Sequence, residues 1–465
     1  MTPGGSTGDS NRHDSRSHPG TLKFLPEEFY EPFLSQSAKE KKPSPIRGLL
    51  HLESRPNVIS LLAGKPNPTL FPITNVDISV KSPTDPSKES VLQISGSDLD
   101  EALQYGPTAG HPGLLKWLTG LQEHAHGRKA GEGWRINVGS GSQDVLYKAF
   151  VALVNDGDPV LIESPAYAGF ISVLPTLHSE VIEVPTDANG IKASSLREIL
   201  DNWPSSKPKP KILYTVPYGC NPTGMTATVE RRREVLALAK EHNFLILEDD
   251  PYYYLYYGAM PRPPSYFTLE TELSEVGRVL RFDSFSKIIS SGIRIGFVSG
   301  PTKILDAVNL HTETSNLQVS SLTQVMTYTL LRSWGYDAFI THTEAVSEFY
   351  RKKCDVFEQA MVRQLGGLTS WTTPVSGMFF WFKLLLNSPD SPNAVTEDSE
   401  TIIRTKALEN GVLALPGTVF LPGGGKTAYV RASFSLLEAE GVEEALRRLK
   451  EVILEARAVS TCNKD

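Results

Sequence analysis

The stretch Asp283 to Gly300 reads DSFSKIISSGIRIGFVSG, with Ser284, Ser286, Lys287 and Arg294 leading into a glycine-bounded apolar run. That run (Ile293, Ile295, Phe297, Val298) predicts a buried strand, so the polar cluster belongs to a loop at the edge of a sheet. Two hydroxyls and a guanidinium suit a phosphate, because arginine offers a planar fork of donors to a dianion. Lys287 would then stand beside a bound phosphate ester. An aldehyde cofactor held as a Schiff base needs that arrangement, a lysine amine on the carbonyl with the phosphate anchored alongside. The plainer reading of Lys287 and Arg294 is a pair of solvated charges.

Upstream of this stretch, strands and helices alternate. NVGSGSQDVLYKAFVA (137–152) is a strand, a Gly/Ser turn and an amphipathic helix, with Ser142 and Gln143 in the helix's first turn. A helix amino terminus presents unpaired N–H groups and a positive dipole, so it can seat a phosphate or simply be an ordinary cap. PVLIESPAYAGF (159–170), KILYTVPYGCNPTG (211–224) and FLILEDDPYYY (244–254) each carry a strand too apolar for one-sided burial. Such repetition predicts an α/β fold with a mostly parallel sheet covered by helices on both faces. Ligands of such sheets lie at the carboxyl ends of the strands, where Asn221, Asp249 and Lys287 fall. Downstream, a helical crossing leads to a smaller α/β unit built from WFK, the helix Glu400 to Asn410, GVLALPG and YVRASFS. Arg431, a charge inside an apolar strand, requires either a structural ion pair or a ligand.

The chain has 465 residues, 40% of them apolar, enough for two domains. Its net charge of −7 and pI near 5.9 argue against a nucleic-acid footprint. Three cysteines (Cys220, Cys354, Cys462) without metal-ligand spacing point to a reducing compartment. No apolar run approaches the ~20 residues of a membrane span, and the first residues match neither a signal nor a transit peptide. The expectation is a cytoplasmic protein.

The motifs NPTG (221–224), EDDPYY (248–253) and SFSK (284–287), in this order and spacing, resemble fold-type I pyridoxal-phosphate aminotransferases of class I/II. The likeness is especially to the branch of aromatic and kynurenine/2-aminoadipate aminotransferases, and it runs from about residue 43 to 437. The resemblance implies that Lys287 carries pyridoxal 5'-phosphate. Ser142, Gln143, Ser284, Ser286 and Arg294 would form the phosphate cup, and Tyr167 would stack on the ring. It further implies that Asp249, with Asp250 as competitor, pairs with the pyridine nitrogen. Asn221 and Tyr252 would bond the ring's phenolic oxygen, and Arg431 would grip the substrate carboxylate. Lys287, Asp249 and Tyr167 are thus the expected catalytic set. Tyr105, otherwise a packing residue, would reach the phosphate of a neighbouring subunit and make the enzyme a homodimer with shared sites. Gly64 and Lys65 lie in the family's substrate loop, where the family usually has a small or apolar residue in place of Lys65.

Four segments are expected: an unstructured tail over 1–20, and an arm with part of the small domain over 21–75. A large cofactor domain over 76–340 and a small domain over 341–465 would follow. Residues 73–100, rich in Ser, Asp, Lys and Pro, read as a surface insertion. The implied function moves the amino group of an amino acid, expected to be aromatic (Phe, Tyr or Trp), to a 2-oxo acid such as 2-oxoglutarate. Preference for 2-aminoadipate or kynurenine, or a β-lyase using the same carbanion, is the rival within the class. An aminotransferase-like transcription regulator would need a basic helix-turn-helix ahead of the cofactor domain, and only about forty residues precede PSPIR (43–47).

Overall fold

The computed structural model describes residues 22–62, 64–386 and 398–462; the tail expected over 1–20 lies outside them. An eight-stranded sheet is built from β1 (Trp134–Gly139), β2 (Pro159–Ser164), β3 (Glu180–Asp187), β4 (Gly190–Ile191), β5 (Ile212–Thr215), β6 (Leu245–Asp249), β7 (Val279–Ser284) and β8 (Gly296–Pro301). Their spatial order is β1-β8-β7-β6-β5-β2-β3-β4. The run β7-β6-β5-β2-β3 is parallel throughout. Strands β5, β6, β7 and β8 are buried at every position, which their apolar sequences require.

Strand β8 departs from the parallel pattern, running antiparallel to both β7 and β1. The Lys287 segment is therefore the connection between two hydrogen-bonded neighbours, with Ser284 opposite Gly296. Ile293 lies in a short helical turn before the strand begins. Helices α1 (Pro112–His126), α2 (Ser142–Leu153), α3 (Ala193–Asp201), α4 (Val229–His242) and α5 (Thr302–Ser315) flank the sheet. Local chemistry sets their ends. Thr228 caps α4 by accepting from the Arg231 N–H at 3.3 Å, and Asn243 closes it in the left-handed conformation.

Helix α6 (Ser321–Leu365) leads to the second sheet and breaks at Gly335, whose φ of 67° and ψ of −173° are not helical. That sheet contains β9 (Thr369–Trp371), β10 (Phe379–Leu384), β11 (Leu415–Pro416) and β12 (Tyr429–Ser433), in the antiparallel order β9-β10-β12-β11. Trp381 and Arg431 are paired across β10 and β12, so Phe379, Trp381, Tyr429 and Arg431 share one face. A final helix, α7 (Ala439–Cys462), packs on α6. One continuous apolar cluster, from Tyr30 to Ile453, includes residues under both sheets.

Residues 73–100 contain more order than their composition suggests. Val76–Lys81 and Glu89–Ile94 form an antiparallel hairpin, and Gly96–Leu103 is a helix. Val76, Ile78 and Val80 alternate with exposed Asp77, Ser79 and Lys81, a period-two pattern that the surrounding Ser, Asp and Lys obscure. Among the described residues no helix is long and apolar enough to cross a membrane.

Candidate active site

The carboxyl ends of the parallel strands open into a cavity of about 360 Å³. The structure gathers Ser142, Gln143, Tyr167, Asn221, Asp249, Tyr252, Ser284, Ser286, Lys287, Arg294 and Arg431 around it. Asp249, the last residue of β6, is buried and accepts a hydrogen bond from the Tyr214 hydroxyl at 2.7 Å through Oδ2. Its Oδ1 is buried without a partner. Burial pushes this carboxyl up to about 6, with the Tyr214 hydrogen bond opposing the shift. An unpaired acceptor of this kind fits the N–H of a protonated ring nitrogen.

Strand alternation decides between the two aspartates. Asp250 points to the opposite face of the sheet, where Arg281 donates to it at 2.7 Å and to Asp283 at 2.8 Å. Glu248 completes that buried cluster, 3.5 Å from Arg281. Asp250 does not line the cavity.

The anion end is made by the first turn of α2 and the β7–β8 connection. Arg294 sits in the left-handed region at φ 52° and donates to the Ser140 carbonyl at 3.2 Å, the Ser291 carbonyl at 3.2 Å and the Ser286 hydroxyl at 3.4 Å. Gly141 caps α2 at φ 86°, and a Cβ there would lie 2.3 Å from Arg294 Nη2. Only glycine allows that approach without strain. Backbone amides, three serine hydroxyls and a guanidinium thus converge, a donor set suited to a phosphate dianion. Gln143, also in the lining, donates to the Gly169 carbonyl at 2.9 Å.

Lys287 is half-buried, and its amine has no hydrogen bond among the described residues. Burial lowers its pKa from the usual lysine value, and the charges of Arg294 and Arg431 lower it further. A lysine so placed is more readily neutral, the form that attacks a carbonyl. Arg431 reaches in from β12, donating to Asn221 Oδ1 at 2.9 Å. Its guanidinium lies 4.4 Å from the Phe379 ring centroid and 5.2 Å from that of Phe420. Among the described residues it has no carboxylate partner, and its Nε is buried and unpaired. Burial lowers its pKa. The structural ion pair that the sequence left open is absent there, and a half-buried cation in want of an acid remains. Together, the orphaned Asp249 oxygen, the anion cup and the free lysine fit pyridoxal phosphate.

Three expected residues are not brought to the cavity. Lys65 forms an ion pair with Glu53 at 3.0 Å, and Glu53 also accepts from Ser60. Gly64 has open space around its Cα, and Tyr105 is 56% exposed beside His111 in a separate hollow. Conversely, Val216, Pro251, Ser291 and Phe379 line the cavity without having been singled out, and Tyr214 supports Asp249 from within a buried strand. Ser291 was legible beside Ser284 and Ser286; an apolar wall such as Val216 or Phe379 carries no local signal.

The family model described as aminotransferase class I and II matches residues 81–449. The chain is 43% identical over 420 residues to the aminotransferase tdiD of Emericella nidulans, covering 90% of this chain and 94% of that protein. It is 36% identical to the mitochondrial kynurenine/alpha-aminoadipate aminotransferase of Mus musculus, over 92% of this chain and 99% of the relative. The solved structure of the aromatic aminotransferase Aro9 of Candida albicans superposes with a TM-score of 0.78 at 25% identity, covering 92% of this chain and 98% of that one.

Proposed function

The chain belongs to the class I and II aminotransferase family, and we propose that it uses pyridoxal 5'-phosphate to move the amino group of an aromatic amino acid to a 2-oxo acid such as 2-oxoglutarate. The observation that carries this reading is a single cavity holding an unpaired lysine, an unpaired buried carboxylate oxygen, an anion cup and an arginine without an acid. Bound there, the cofactor supplies an electron sink for the pair left when a proton leaves the substrate Cα.

The protein's own groups do the rest. Ser142, Ser284, Ser286 and Arg294 hold the phosphate, and Tyr105 would do so for a neighbouring subunit. Asp249 keeps a proton on the ring nitrogen, while Asn221 and Tyr252 bond the phenolic oxygen. Tyr167 covers one ring face. Arg431 forks onto the α-carboxylate of donor and acceptor alike, orienting the Cα–H bond towards the ring face. Lys287 would carry the proton away from Cα as base and return it as acid.

The cations lining the cavity are Lys287, Arg294 and Arg431, and each already has a task. No other described cation lines it, so the distal carboxylates of 2-oxoglutarate and 2-aminoadipate alike would have to be met from outside this lining. Kynurenine, ring-bearing as well, is the second reading, favoured by the likeness to the mouse relative. A panel of amino donors with 2-oxoglutarate, read by the visible absorbance of the cofactor, tests both. Lys287→Ala should abolish turnover and shift that absorbance; an active Lys287→Ala enzyme would sink the assignment.

The assembly we infer is a homodimer. Ile59, Leu61 and Leu70 of the arm are 92%, 98% and 81% exposed, an apolar strip that a second copy would cover. Light scattering of the purified protein checks this. Two buried, unpaired thiols, Cys220 and Cys354, accord with a cytoplasmic setting, which cell fractionation would test.

A further inference from the structure

A second cavity, about 610 Å³ and thus larger than the first, lies between the two sheets. It shares no lining residue with the candidate active site. One wall comes from the large sheet, at the β3–β4 turn and the segment after Asn221. The other comes from the face of β10 and β12 that carries Trp381 and Tyr429. The two rings stack with centroids 5.1 Å apart and planes 8° from parallel, and Phe420 braces Trp381 edge-on at 5.8 Å. The pair makes a rigid aromatic shelf beside the void.

Seven of the fifteen remaining lining residues carry a hydroxyl. Ser370 and Thr372, both exposed, have hydroxyls that make no hydrogen bond within the described chain. Among the described residues the only charged one in the lining is Asp187, and Arg231 outside the cavity offsets it with contacts at 3.4 Å. Among the described residues no cation lines the space. Phosphates and carboxylates, which the first cavity is built to hold, find no partner in the second. Its size falls within the range of small-molecule sites, and aromatic walls with a few hydrogen-bonding groups are what such sites use.

We propose that this cavity is a second ligand site, one for an uncharged planar aromatic compound bearing a hydroxyl or similar hydrogen-bonding group. The ring stacks on Trp381 and the polar group meets the hydroxyls of Ser370 and Thr372.

Indole-3-ethanol is a suitable probe: it has no amine to react with the cofactor and no carboxylate to bind Arg431. Calorimetric titration into the holoenzyme, with 2-oxoglutarate saturating, should show one molecule bound per chain. Trp381→Leu should weaken it about tenfold by removing the stacking surface. Ser370→Trp, an exposed position that fills the cavity, should abolish it. Indole-3-acetate, the same ring with a negative charge, should bind more weakly than the alcohol. Absence of binding, or displacement of the probe by 2-oxoglutarate, would overturn the site. So would unchanged affinity in Ser370→Trp, whether or not Trp381→Leu folds. Equal binding of the anion would overturn the ligand class.

Discussion

Replacing Arg431 by alanine tests the reading of the site most directly, because two opposite effects follow from one change. Arg431 is held between Phe379 and Phe420, with Asn221 its one hydrogen-bonding partner and no acid within reach among the described residues. If a substrate carboxylate is the missing partner, truncation removes a desolvated charge pair, a loss of about 2–5 kcal/mol. The guanidinium is only partly buried, so the lower half of that range applies, roughly a 30- to 300-fold fall in kcat/KM. The loss should be of similar size for the amino donor and the 2-oxo acceptor, since both present the same carboxylate. Stability should move the other way. A half-buried charge lacking a counter-ion costs folding free energy, so the ligand-free Arg431→Ala protein should melt at or above the wild-type temperature. Steady-state kinetics on both half-reactions, with thermal denaturation of the ligand-free protein, read the two effects. Lowered stability with kinetics changed for one substrate alone would refute the reasoning and make Arg431 a structural or side-chain-reading residue.

Other outcomes follow from the same geometry. Asp249→Asn should slow the chemical step far more than it weakens cofactor binding, because the phosphate contacts are untouched; a loss confined to cofactor affinity would make Asp249 a structural acid. The raised pKa of Asp249, about 6 against an ordinary 3.8, also has a sign. Its favourable contribution to the ligand-free protein is whole below about pH 3.8 and is lost as pH rises through about 6. Relative to Asp249→Asn, the wild type should therefore lose on the order of 3 kcal/mol between those limits in denaturant titrations, and parallel stability curves would contradict this. Gly141→Ala should weaken cofactor binding about tenfold, through strain at φ 86° and collision with Arg294; fluorescence titration of the cofactor measures it, and unchanged affinity would mean that the cup does not depend on this approach. Lys65→Leu should alter kcat/KM equally for aromatic and dicarboxylic substrates, since its ammonium is engaged by Glu53; a selective loss with dicarboxylates would show that the ion pair opens to meet them.

Much of this molecule follows from local sequence. Apolar runs such as ILYT and LILED, separated by amphipathic helices, suffice for a sheet buried on both faces, and strand ends in such a sheet are where Asn221, Asp249 and Lys287 had to lie. Their positions depend on periodicity and burial, which a sequence carries residue by residue. Other features depend on which segments meet. Asp249 and Asp250 are neighbours in EDD, and only the location of Arg281 on one face of the sheet separates their roles. The antiparallel course of β8 comes from its pairing with both β7 and β1. Arg431 and Asn221 touch across 210 residues of chain, and the want of an acid near that arginine is visible only once every neighbour is in place. The walls supplied by Val216 and Phe379 were silent for the same reason. An apolar side chain announces burial, but not what it is buried against, and that is decided by the packing of one sheet on the other.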